Sequence, residues 1–275
     1  MAGIMLSTIY GTDNTLTLSI TGDTANLNLH DFLIASGWNG TAIVTFVLTV
    51  NTGVALYSNS LALPALDIGS PFPSGSTIIL INNGTIIGAG GAGGASNGGG
   101  AQGLPGGTGG LALVTTVPII VDNSSGVISG GGGGGGSGGG IRVRVDFSTN
   151  GSSFIYPESY YGGSGGGGGA SLGLGGATSY AANAGANGTI STGGAGGASG
   201  TVSFAPYTGS GGAGGGIGQA GGAGGNAVGG TGYLGTPITP YTGGAGGAIG
   251  DCIHGNANIT YASGLFGARY GTIVP

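Results

Sequence analysis

Between residues 14 and 87 apolar and polar positions alternate with a period of two. Leu16, Leu18 and Ile20 alternate with Thr15, Thr17 and Ser19, the pattern of a strand with one buried face. Ala42 to Val50 and Ser76 to Ile81 are runs rich in β-branched residues and bounded by turn residues, which predicts two more strands. Between the first two, Asn28 or Asp31 is placed to cap a short helix that runs through Ser36 and ends at Gly37. The single Trp, Trp38, follows in the sequence Gly-Trp-Asn-Gly. It is expected to pack into this small core rather than to contact a ligand.

The same grammar then repeats. Ile79-Leu80-Ile81-Asn82-Asn83-Gly84-Thr85-Ile86-Ile87-Gly88 is echoed by Ile119-Ile120-Val121-Asp122-Asn123-Ser124-Ser125-Gly126-Val127-Ile128. Each copy reads as a strand, an Asn-containing turn, a short strand and a glycine tract. Two such copies predict successive coils of a solenoid-like or stacked β unit. Ile141 to Phe147 predicts one further strand, with Arg142, Arg144 and Asp146 on a solvated polar face.

Beyond residue 88 the period of two gives way to glycine. Residues 1–87 hold 9 of the 75 Gly, and residues 88–275 hold the other 66. The first segment can bury a side-chain core, whereas the second cannot do so in the ordinary way. Collagen is excluded, because it needs Gly at every third position with abundant Pro, and this chain has 10 Pro and an unbroken Gly run at 130–136. Featureless disorder is a poor fit, because the tracts are patterned. Gly-Gly-Ala-Gly-Gly begins at Gly90, Gly193, Gly211, Gly221 and Gly243, and chemically richer segments of uneven length separate the tracts.

Packed glycine helices of the polyproline II kind fit this pattern. With three residues per turn and no internal hydrogen bonds, such a helix turns its N–H and C=O groups outward in three directions. Lacking Cβ atoms, neighbouring helices can approach and bond one another, with Cα–H···O contacts added. Ala or Ser at every third position would face outward or fill small gaps. The expected fold class is therefore mainly β and irregular: an N-terminal β-domain at 1–87, a polyglycine II helix sandwich with variable loops at 88–253, and a closing segment at 254–275.

Charge and catalytic groups narrow the function. Three basic residues, all Arg, and a net charge of −5 exclude a basic nucleic-acid-binding face and an anionic membrane partner. Without Lys there is no phosphate-binding Walker loop. No apolar run approaches the length of a membrane span, and the first residues do not read as a signal peptide. The lone Cys252 is expected to be a small buried hydrophobe. Gly-x-Ser-x-Gly matches around Ser137 and Ser164 lie inside tracts, without the strand-turn-helix setting of a nucleophile elbow. Cys252 and His254 are too few for a zinc site. The reading is non-enzymatic, with no cofactor and no metal.

Four richer segments, 154–161, 172–187, 201–208 and 233–242, carry aromatic rings of the type enriched at binding hot spots. The arrangement resembles the polyglycine-sandwich adhesins at the tips of T-even-type phage tail fibres and related phage tail proteins. The matching elements are the unit Ile-Asn-Asn-Gly-Thr-Ile-Ile-Gly-Ala-Gly-Gly-Ala-Gly-Gly at 81–94, the tract 130–140 followed by Ile-Arg-Val-Arg-Val-Asp-Phe, and the repeated tracts with variable loops. Residues 258–273 resemble a closing motif of phage tail proteins.

The resemblance implies a virion protein that recognises a bacterial surface protein or polysaccharide through loops at one end. Tyr156, Tyr160, Tyr161, Tyr180, Phe204, Tyr207, Tyr233 and Tyr241 become receptor-contact candidates. It also implies attachment of the N-terminal domain to a tail-fibre or tail-tip protein, expected to be trimeric. The single Trp departs from the Trp-rich attachment region of the T-even type. A structural virion component such as a capsid decoration, and, more remotely, an ice-binding protein, are the alternative readings.

Overall fold

The computed structural model describes residues 4–7, 14–98, 101–143, 146–149, 152–155, 159–178, 183–200, 208–230, 238–262 and 266–275. It is mainly β with very little helix. The chain divides into two compact units: residues 1–89, 110–131 and 250–275 form the first, and residues 90–109 and 132–249 form the second.

The first unit is a stack of five coils with three sheets. β2 (Thr15–Ile20), β3 (Thr24–Ala25) and β4 (Leu27–Asn28) make the first coil, and β5 (Thr45–Val50), β6 (Ala55–Tyr57) and β7 (Leu66–Asp67) make the second. The third is β8 (Thr77–Asn82), β9 (Thr85–Ile87) and β10 (Leu113–Val114), and the fourth is β11 (Ile119–Asp122), β12 (Val127–Ser129) and β18 (Ile253–His254). β19 (Ile259–Tyr261), β20 (Ala268–Tyr270) and β21 (Ile273–Val274) make the fifth. Like strands of successive coils pair in parallel, and β1 (Ile4–Ser7) adds to β2 antiparallel. In the third and fourth coils the chain departs after the second strand and returns at the third, and the excursions hold the glycine tracts.

Stacking is what buries the apolar face that no single coil could cover. Leu18, Leu48, Leu80 and Val121 lie in register on the first sheet and are at most 2% exposed. Each such side chain contributes about 1.5–3 kcal/mol by burial. Leu56, Ile86 and Ile128 make the corresponding column on the second sheet, and Leu27, Leu66, Leu113 and Ile253 on the third. Asn82 and Asn123 are also fully buried. Asn82 Nδ2 donates to Asn123 Oδ1 at 2.7 Å and to the Val127 carbonyl, and Asn123 Nδ2 donates to the Phe266 and Ala268 carbonyls. These bonds remove the penalty for burying the two amides. The repeat seen in the sequence is thus one coil step, with a register of Ile79 against Ile120 and Thr85 against Val127.

The helix α1 (Leu29–Ala35) is capped by Asn28, whose Oδ1 accepts from the Asp31 N–H at 3.0 Å. It ends where Gly37 takes a φ of +100°, a conformation that glycine adopts without a Cβ penalty. Trp38 is buried against Phe46 and Phe72, with ring centroids 5.0 and 5.5 Å away, and its Nε1 donates to the Ala42 carbonyl.

In the second unit backbone bonds to backbone with a period of three. N–H groups of Gly134, Ser137 and Gly140 donate to carbonyls of Gly107, Leu104 and Ala101; those of Gly135 and Gly138 donate to Gly167 and Ser164; those of Gly133, Gly136 and Gly139 donate to Gln219, Gly222 and Gly225. Carbonyls of the same tract accept from three more directions, from Gly91 and Gly94, from Gly215, Gly212 and Gly209, and from Gly247, Gly244 and Tyr241. Tract 132–140 is therefore ringed by six neighbours. Tract 162–170 is ringed in the same way, by 132–140, 209–215, 193–198, 183–188, 173–177 and 90–96. Among the described residues the tracts lie in rows of three, four and three, with these two at the centre of the middle row.

That position explains the composition of each tract. A Cβ at Gly134, Gly135 or Gly136 would overlap the carbonyl oxygen of Ala92, Gly212 or Gly244 respectively, so the inner tracts must be nearly pure glycine. In the outer tracts 193–198, 209–215 and 242–248 one position in three is exposed, and it holds Ala195 and Ala198, Ser210 and Ala213, or Thr242, Ala245 and Ala248.

Candidate functional site

The directions of the tracts define two ends of the second unit. Bonds from Gly140 to Ala101, Gly138 to Ser164, Ser96 to Ala177, Gly139 to Gly225 and Tyr241 to Gly140, with Asn183 Nδ2 donating to the Ala198 carbonyl, bring one set of tract ends together. The connections that leave this end are 97–100, 141–161, 178–182, 199–208 and 228–240. At the other end the second unit has short turns, such as 170–173, 189–192 and 216–219. Of the chemically richer segments of the sequence, 154–161 and 201–208 belong to these connections, as does 233–242 up to the tract that begins at Tyr241, whereas 172–187 contributes only 178–182, the rest being the turn at Leu172 and the tracts 173–177 and 183–188.

At that end β13 (Ile141–Val143) pairs with both β16 (Ser159–Tyr161) and β17 (Ile238–Pro240). Ile141, Val143, Ala227 and Ile238 form a small buried cluster against which the half-buried Tyr161 packs. Arg142 alternates with the two buried residues and stands in register with Tyr160 and Thr239. The predicted single strand from Ile141 to Phe147 is in fact two elements in different sheets. β14 (Asp146–Thr149) pairs with β15 (Ser152–Ile155), with Thr149 opposite Ser152. The intervening sequence is Asn-Gly, the strongest short hairpin signal, and the strand alternation of the preceding run conceals it.

Of the candidate rings, Tyr161 and Tyr241 are half-buried, and Tyr241 begins its tract by donating its N–H to Gly140. Tyr160 is placed by its strand register. Tyr156, Tyr180, Phe204, Tyr207 and Tyr233 lie outside the described residues. All four charged residues of the second unit, Arg142, Arg144, Asp146 and Glu158, belong to the 141–161 connection. The first unit carries the whole net charge.

The hydroxyls of the two Gly-x-Ser-x-Gly matches are spent inside the lattice. Ser137 Oγ accepts from the Leu104 N–H at 2.7 Å, and Ser164 Oγ donates to the Ala198 carbonyl and accepts from the Asn183 N–H. Neither Ser is exposed. Burial pushes the Cys252 thiol up to about 11, which keeps it protonated at neutral pH and poorly nucleophilic. His254 Nε2 lies 2.9 Å from Asp251 Oδ2. Among the described residues no group of His, Cys, Asp and Glu could hold a metal ion, and no helix is long and apolar enough to cross a membrane.

A model of the phage tail fibre adhesin Gp38 family matches residues 15–274. The chain belongs to that family. Among solved structures, the adhesin resembles the gp37-gp38 adhesin tip complex of the bacteriophage S16 long tail fiber, with a TM-score of 0.54 over 93% of this chain and 83% of that one. The two are 22% identical, so the likeness is one of fold. No curated protein matches the adhesin. Membership makes it a virion tail component, in agreement with the resemblance seen in the tract-and-loop pattern.

Proposed function

We propose that the adhesin binds a host cell-surface protein or polysaccharide through the connections at one end of its glycine lattice. The observation that carries this reading is the convergence of five variable connections at one end of a lattice that is stiffened from within. Loops held by a rigid scaffold are the usual carriers of recognition, and aromatic rings give contact area at low entropic cost. Tyr156, Tyr160, Tyr180, Phe204, Tyr207, Tyr233 and Tyr241 supply that area, and Tyr161 supports them by packing under β13. The period-three bonding and the six-fold surroundings of the inner tracts support a polyglycine II sandwich as the stiffening element.

The role is one of binding, and membership of an adhesin family supports a non-enzymatic protein. Residues 1–87 attach the adhesin to a trimeric tail fibre, a reading supported by the S16 tip, which is a complex of two proteins. A shallow groove lined by Leu16, Trp38, Ala42 and Val44, near the exposed Ile34 and Ile43, offers apolar surface for that contact.

Replacing Tyr156, Tyr180, Phe204, Tyr207 and Tyr233 together by Ala tests the recognition end. Adsorption of phage carrying the variant is expected to fall by about tenfold or more, with thermal unfolding of the purified protein nearly unchanged. Adsorption at the normal rate would remove these rings from the recognition surface.

A further inference from the structure

The three sheets of the first unit end together on the fifth coil, at β19, β20 and β21. Three strand edges at one end of an apolar stack are a template for pairing with another chain. Solenoids need a polar terminal coil to remain soluble. The residues at the mouth of this stack are of a different kind from those beneath them.

On the second sheet the inward column Leu56, Ile86, Ile128, each fully buried, continues in register to Arg269. On the first sheet the column Leu48, Leu80, Val121 continues to Tyr261. Arg269 Nη1 donates to Tyr261 Oη at 2.9 Å, and Tyr261 Oη donates to Asn256 Oδ1 at 3.0 Å. The guanidinium carbon lies 5.0 Å from the centroid of the Tyr261 ring and 4.7 Å from that of Phe266, and the two rings meet edge to face at 4.9 Å. Arg269 thus links one sheet to another where the core would otherwise open. It is also the only Arg or Lys in a unit that carries the whole net negative charge.

We propose that Arg269, Tyr261 and Phe266 form a cap that closes the core at the fifth coil and keeps this end from pairing with a second copy of the chain. The rings cover apolar surface, and the half-buried Arg269 donates to the phenol at the mouth of the stack. Two copies meeting end to end would each have to desolvate a guanidinium against another of the same charge, an arrangement that costs more than it returns. Ile273, in register with the fully buried Ile253, is 36% exposed, so the surface protected from association is apolar once the charge is gone. The fifth coil is then a solvent-facing terminus, and the tail fibre is met elsewhere on the unit.

Sedimentation velocity of the full chain over a wide concentration range tests this. The wild-type protein and Arg269→Lys, which keeps the charge, are expected to sediment as monomers. Arg269→Leu, with thermal unfolding still cooperative, is expected to form a dimer at concentrations at least tenfold below any at which the wild type associates. Arg269→Gln keeps donors for Tyr261 but no charge, and it decides the question if the Leu variant does not fold. The proposal is overturned if both neutral variants fold and remain monomeric throughout, or if the wild type itself dimerises through this end.

Discussion

The two units solve the problem of a buried interior with opposite materials. In the coil stack the interior is made of side chains, and the backbone bonds only along the sheets, in two directions per strand. In the glycine lattice the interior is backbone, bonded in six directions, and side chains are pushed to the rim. Polar groups can fill an interior when each is matched. The lattice is the limiting case, in which removing the side chains lets every tract be its neighbour's partner. Glycine gives up more conformational entropy on ordering than any other residue, so the lattice depends on density of bonding, whereas the stack depends on apolar area.

The largest effects are expected from truncating a side chain in one interior and adding a methyl to the other. Leu80→Ala removes atoms from the middle of a fully buried column and is expected to cost about 2–5 kcal/mol, the range for such cavities. Gly135→Ala adds a single methyl where the Gly212 carbonyl already sits. It is expected to cost up to about 3 kcal/mol, the upper end of ordinary overpacking, because backbone on all sides cannot change rotamer to make room. Thermal and denaturant unfolding of the two variants would measure both. A Gly135→Ala variant as stable as the wild type would mean that the tract is loosely held and that the backbone-core description is wrong.

The two interiors were also unequally legible. The period of two exposed Thr15–Ile20, and the repeated Asn-turn unit announced a coil step, because each leaves several alternating residues in sequence. The end of α1 was marked by Gly37, and its cap was narrowed to Asn28 or Asp31, of which Asn28 holds the place. Strands such as Thr24–Ala25, Leu66–Asp67 and Leu113–Val114 are two residues long, too short to carry any period, so the third sheet was invisible, and of the second only the short strands after the two Asn turns, β9 and β12, left a mark. So was the return of residues 250–275 to complete the stack, since parallel pairing between distant segments leaves no local mark. In the lattice, composition marked the tracts but not their neighbours. Only afterwards is it clear that the near-pure runs at 132–140 and 162–170 are the enclosed ones. The end proposed for recognition could be read as aromatic loops, but their convergence depends on tract directions, which follow from the alternation of long and short connections rather than from any residue.

The smallest effect belongs to the rim. If glycine is required only where a neighbour's carbonyl stands in place of Cβ, then the exposed Ala213 needs no glycine, and its methyl serves by restricting the unfolded chain. Ala213→Gly should therefore destabilise by only about 0.4–1 kcal/mol, the entropic difference between the two residues, and should leave adsorption unchanged. Lengthening the same side chain to Ser should be close to neutral, since the position faces water in a tract whose neighbour at 210 is already Ser. Comparing unfolding midpoints of Ala213→Gly, Ala213→Ser and wild type separates this account from one in which the Ala methyls pack against something. A loss on Ala213→Gly approaching that of Leu80→Ala would show the rim position to be covered, and the division between inner and outer tracts would have to be redrawn.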